Sequence, residues 1–209
     1  MRRIEYFYSA HSAYAYIGAR KLAEICAAHG CALDHRPIRL SPVVEAVGGL
    51  SFAERSRHHV DYYFGREIER WAELRGVPII SHRPTHHDNS LDLSNGMLIA
   101  AISQGADVDR LADALLTAHW RDDIDLADAD ALAAAATTAG IDPSPLLRAA
   151  LSDEVQRAHQ ANTEDAIERG VFGSPTYFLD GDMFYGQDHL EMLERALTTP
   201  FSPHRFQNP

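Results

Sequence analysis

The sequence predicts an α/β fold: a β-α-β half at the start and a β-β-α half at the end, with a large all-helical insertion between them. Three observations carry this. IEYFY, a helical stretch over 13–29 and CALDHR follow one another with short links. TYFL, Asp180-Gly181 and MFY run into a last helical stretch. From Ser51 to about Gly170 the pattern is mostly helical and rich in alanine.

Ile4–Tyr8 mixes aromatic and β-branched residues and puts Ile4, Tyr6 and Tyr8 on one face of a strand. Over 13–29, Tyr14, Ile17, Gly18, Leu22, Ile25 and Cys26 recur at three-to-four spacing, which predicts a helix, and Gly30 suits the position after its end. Cys31–Arg36 alternates again, with Cys31, Leu33 and His35 on one side. Strand, helix, strand with short links predicts a right-handed crossover and a parallel pair. Ser51–Gly76 reads as one helix on the spacing of Phe52, Val60, Tyr63, Phe64, Ile68, Trp71 and Leu74. Further helices are expected over 91–104, 107–120, 127–139, 143–151 and 153–169. Asp107, Asp128 and Asp142 or Pro143 are start signals, and Gly105 and Gly140 are stops. Thr176–Leu179 and Met183–Tyr185 flank the Asp-Gly hairpin signal, and Asp188–Leu197 reads as the final helix. Together these make a thioredoxin-like sheet domain, residues 1–40 and 171–209, interrupted by an inserted helical domain, residues 41–170.

The composition, 45% hydrophobic and 23% charged, excludes disordered and collagen-like classes. The net charge of −11 repels phosphates and anionic membranes, so no nucleic-acid or membrane partner is expected. No apolar run approaches the ~18–20 residues of a membrane span, and the first residues lack the apolar core of a secretory leader. Cys26 and Cys31 are the only cysteines and form no CxxC pair, so a disulfide framework is excluded and a reducing cytoplasm is expected. Both read as small buried hydrophobes. His58-His59 and His86-His87-Asp88 lack the spacing of a metal site, and RDDIDLADAD lacks the glycine of a calcium loop, so no metal is expected.

Three short stretches carry candidate chemistry. Ser12 opens the first helix and reads either as its N-cap or as the group that works at a helix start, where free N–H groups and the dipole stabilise an anion. Ser12-Ala-Tyr-Ala15 contains no sulfur, so a dithiol oxidoreductase is disfavoured; a serine hydroxyl there suits donation to a sulfur anion supplied by something else. Ser174-Pro175 precedes a strand and reads either as an ordinary turn or as a cis-proline whose preceding residue pairs with an extended peptide. Gln187 and Asp188 lie between a strand and a helix start; Asp188 either caps the helix or, with Gln187, holds the amino end of a ligand.

YFYSAHSAYAYIG, RWAELRGVP, HDNSL and above all ANTEDAIERGVFGSPTYFLDGDMFYGQDHLEMLERAL resemble segments of the 2-hydroxychromene-2-carboxylate isomerases and kappa-class glutathione transferases, over roughly residues 4–198. The resemblance implies a glutathione-dependent isomerase acting on a chromene-type or related aromatic carboxylate by transient thiolate addition, ring opening and bond rotation. It gives Ser12 as the donor to the glutathione sulfur, Ser174 and Pro175 as partners of the cysteinyl part, and Gln187 and Asp188 as holders of the γ-glutamyl end. It also implies a homodimer. A kappa-type transferase and a non-catalytic thioredoxin-like binding module are the other expectations. The chain departs from the family at Ala13, which replaces a proline, and at His189, which replaces a frequent arginine. Glu45 and Gly49 stand in place of a lysine and an asparagine, and Arg57, His58 and His59 are candidates for the missing positive charge.

Overall fold

A computed structural model describes residues 1–203 of the chain; residues 204–209 of the expected second sheet segment lie outside the described residues. The sheet has four strands in the order β2-β1-β3-β4. β1 (Arg3–Tyr8) pairs parallel with β2 (Ala32–Pro37), and β3 (Thr176–Leu179) pairs antiparallel with both β1 and β4 (Asp182–Tyr185). The α1 helix (Ala13–His29) makes the expected crossover and ends at Gly30 in the left-handed conformation. The sheet and its helical insertion are thus as the sequence predicts.

The period of β1 sorts the core onto two faces. Ile4, Tyr6 and Tyr8 point into a large apolar cluster with Ile17, Leu22 and Ile25 of α1, and that cluster runs on without a break into the helical block. Phe7 points the other way, onto Phe178, Ile38, Val43, Ala166 and Val171. On the first face Tyr6 stacks on Tyr8 at 4.2 Å and on Tyr177 at 5.3 Å between ring centroids.

The middle of the chain departs from the expected single helix over 51–76. α2 (Leu40–Ala46) precedes it, short and anchored in the core by Val43, with no side-chain cap to announce it. A 3-10 turn (Phe52–Glu54) is closed by a Ser51/Glu54 capping box, and Ser56 then caps α3 (Arg57–Asp61). A π turn (Tyr62–Arg66) joins α3 to α4 (Glu67–Arg75), with the Glu67 N–H reaching back five residues to Tyr62. The apolar spacing runs through these breaks because Phe52, Val60, Phe64 and Ile68, one from each of the four pieces, line the same cleft. The rest follows as α5 (Asp92–Gln104), α6 (Val108–Asp122), α7 (Ala129–Thr138), α8 (Pro143–Ala150) and α9 (Asp153–Glu168). Asp107, Asp128 and Asp142 cap as their positions suggested. The last helix, α10 (Leu190–Thr198), starts two residues late, behind a 3-10 turn over Gln187–His189. Among the described residues no helix is long and apolar enough to cross a membrane.

Candidate active site

The loop from β1 to α1 and the turn before β3 meet at the C-terminal end of β1. Ser12 is the N-cap of α1: its Oγ accepts from the Ala15 N–H at 3.2 Å and donates to the Ser174 carbonyl at 3.0 Å. The Ser174 Oγ in turn accepts from the Ser9 N–H at 3.1 Å. The Ser174-Pro175 bond is cis. Ser12 thus caps the helix, and it also stands on the wall of a cleft of about 940 Å³. Ser174 sits on the same wall, but its carbonyl is already engaged by Ser12. Ala13, at the first helical position, keeps an N–H that a proline would lack, and it too lines the cleft.

Gln187 and Asp188 lie beside this point, on a small pocket of about 90 Å³ shared with Ser174, Tyr14, Trp71 and Tyr185. Neither caps α10, which has no side-chain cap. Gln187 is only 1% exposed. Its Oε1 accepts from Arg75 Nε at 3.1 Å and its backbone carbonyl from Arg75 Nη2 at 3.1 Å, while its Nε2 has no partner among the described residues. Gly18 makes room for this: a Cβ there would stand 2.7 Å from the Gln187 Cβ. Arg75, held over the Trp71 ring at 5.4 Å, is a site residue that sequence reasoning missed, although it lies inside the RWAELRGVP segment.

The positive charge in the cleft comes from an unexpected place. Arg57 is exposed and ion-paired with Asp61 at 3.4 Å. Arg39 is spent on Asp92, Gln156 and Gln160, and Arg83 on Asp88. Arg55 lines the cleft, lies 5.3 Å over the Phe64 ring and has no carboxylate partner among the described residues. Its Nη1 donates to His59 Nε2 at 3.0 Å. Of the three candidates named from sequence, only His59 reaches the cleft. At position 49 the backbone itself selects glycine: a Cβ would meet the Val44 carbonyl oxygen at 2.8 Å. Among the described residues no group of three or more His, Cys, Asp and Glu is placed to hold a metal ion. Cys26, near the far end of α1, is pushed up to about 12 by burial, which leaves it an inert thiol.

Burial also depresses histidines around the cleft: His159 to about 4, His11 to about 3 and His87 to about 2, from an ordinary value of 6.5. The unfolded chain takes up these protons first, so their contribution to stability is complete above about pH 6.5 and drains away as pH falls toward 3. We expect the melting temperature to fall by several degrees between pH 7 and pH 5, before most carboxylates titrate. Thermal melts across that range check this; a flat profile would contradict neutral burial of these rings.

A four-stranded sheet of this order, a helix starting at the end of β1 and a cis-proline facing it define a class. The chain belongs to the DSBA-like thioredoxin domain family, whose description matches residues 3–198. Its curated relatives sharpen that. It is 28% identical over 200 residues to a 2-hydroxychromene-2-carboxylate isomerase of Sphingobium xenophagum, covering 94% of this chain and 98% of the relative. It is 28% identical over 198 residues to one of the same name from Pseudomonas putida, covering 93% of each. A solved structure of 2-hydroxychromene-2-carboxylate isomerase superposes with a TM-score of 0.79 at 25% identity, over 93% of this chain and 94% of that one. The resemblance read from the sequence motifs is borne out.

Proposed function

We propose that the chain is a glutathione-dependent isomerase of 2-hydroxychromene-2-carboxylate or a related aromatic carboxylate. The observation that carries this reading is a hydroxyl where a thiol would do redox chemistry: Ser12 lies at a helix start, opens on a large cleft and has no cysteine within reach. The names of the curated relatives support the reaction class.

The residues present fit glutathione. Gln187 Nε2 is a buried donor with no partner among the described residues, and Asp188 is half exposed beside it. Because Arg75 already holds Gln187 Oε1, the amide offers a donor and so addresses a carboxylate, leaving Asp188 for an ammonium group. Ser12 Oγ, turned away from the Ser174 carbonyl, donates to a sulfur anion, and the N–H groups at the start of α1 add to its field. When bound, glutathione supplies a thiolate that adds reversibly to the conjugated substrate and frees a double bond to rotate. Tyr63, Phe64 and Trp120 give the cleft flat apolar walls for a bicyclic ring, and Arg55 takes its carboxylate.

Arg55→Gln is expected to raise KM about tenfold with a smaller change in kcat, and Arg55→Lys to recover part of the loss. Steady-state kinetics check this; an unchanged KM removes Arg55 from the carboxylate site. The overall reading is tested by incubating the protein with 2-hydroxychromene-2-carboxylate, with and without glutathione, and analysing products by liquid chromatography coupled to mass spectrometry. An isomer of unchanged mass that forms only with glutathione is expected. A stable adduct formed by loss of a leaving group from an electrophile would instead favour transfer, and absence of glutathione binding would favour a binding module.

A further inference from the structure

Two histidines that the reading above leaves unused share the cleft wall with Ser12. The His11 and His87 rings lie 4.8 Å apart, and His87 stacks on His119 at 5.2 Å with 18° between the planes. His119 is fully buried. Its Nδ1 is 3.0 Å from the Ile124 carbonyl oxygen, which only accepts, so Nδ1 carries the proton. Burial lowers the affinity of this ring for a second proton, so its Nε2 keeps a lone pair. His87 Nδ1 stands 2.9 Å from that Nε2 and must donate to it. The lone pair of a neutral His87 is thereby fixed on its own Nε2. That nitrogen has no protein partner among the described residues, and His87 lines the cleft.

The charges around it reinforce neutrality. Arg83 and Asp88 pair with each other beside His87, and His11 and His119 crowd it from either side. Asp123 is occupied by Thr85. Trp120 closes the edge of the ring at 5.4 Å and anchors the loop by donating to the His11 carbonyl at 2.9 Å. The Ile124 carbonyl thus sets the tautomer of a cleft residue through one intervening ring. The result is a rigid acceptor that cannot reverse its polarity.

We propose that His87 Nε2 is a specificity-determining acceptor that selects aromatic carboxylates bearing a hydroxyl group, with His119 as the residue that positions and polarises it. This rests on the isomerase reading, because that reading supplies the aromatic acid. A hydroxyl satisfies the bare nitrogen; a ligand without one leaves it desolvated and unpaired.

The test uses two probes, 2-hydroxycinnamate and cinnamate, titrated calorimetrically into the wild-type protein with glutathione present. The hydroxylated acid is expected to bind about tenfold tighter, the ratio one hydrogen bond supports. His87→Phe keeps the ring stack and is expected to bind both acids alike. Nitrogen NMR of the wild-type histidines gives a readout that does not depend on the variant folding: the His87 Nε2 resonance is expected to move with the hydroxylated acid only. Equal affinities in the wild type, or a ratio that survives in His87→Phe, overturn the proposal while glutathione-dependent isomerisation leaves the functional reading standing. If neither acid binds and no isomerisation is seen, the functional reading falls and takes the proposal with it.

Discussion

Ser12→Ala is expected to lower kcat/KM for isomerisation about 100-fold while leaving the protein folded. The activity loss has the size seen when one donor to a developing or resident anion is removed from a preorganised site. The stability loss is about 1–2 kcal/mol, from the N-cap bond to Ala15 and the bond to the Ser174 carbonyl. The two effects separate cleanly. Ultraviolet absorbance of bound glutathione reports its thiolate directly. In the wild type a substantial thiolate fraction is expected at pH 7, and in Ser12→Ala a return toward the few per cent of a free thiol. A variant with full activity and an unchanged thiolate signal would leave Ser12 as a helix cap and nothing more. Ser12→Thr, which keeps the hydroxyl, is the control for shape.

Asn95→Leu is expected to be the most destabilising of the substitutions considered. Asn95, on α5, is fully buried. Its Oδ1 accepts from the Ala10 N–H at 3.0 Å, and its Nδ2 donates to the Ile38 carbonyl at 3.1 Å. One side chain therefore ties the loop that presents Ser12 to the end of the second strand and to the inserted helices. Leucine matches its size but orphans both backbone groups, at a cost of about 1–3 kcal/mol each. For a chain of this length about 3 kcal/mol lowers the melting temperature by roughly 6–12 °C. Calorimetric melting is the check, and a drop under about 2 °C would mean that water replaces the amide.

The sheet was legible because its strands are short, aromatic and bounded by unambiguous signals: Gly30 after the first helix and Asp180-Gly181 in the hairpin. The break in the helix over 51–76 was not, since Ser51 and Ser56 are unremarkable serines until the backbone shows what they cap. Ser12 and the Ser174-Pro175 turn stand out in the local sequence as candidates, because both sit where strand meets helix or turn. Their mutual bond was hidden, being a contact across 162 residues. Arg75 and Arg55 escaped for the same reason. An arginine in a helical stretch looks like a solvated charge, and only tertiary packing brings one onto Gln187 and leaves the other bare above Phe64. In sequence the histidine pair at 86–87 suggests only a metal, whereas the ring that His87 bonds lies 32 residues away.

The π turn over Tyr62–Arg66 sets the phase between two halves of one rod. Upstream, His59 and Val60 face the cleft; downstream, Ile68 lines the same cleft while Ala72 is locked in the core. Removing one residue would restore ordinary winding and swing the upstream half by about 100° relative to the anchored half. The ligand-facing wall is thus geared to the scaffold through a single surplus residue. Descendants of this chain can change what that wall presents by altering the gear, with no substitution in the core and none at Ser12.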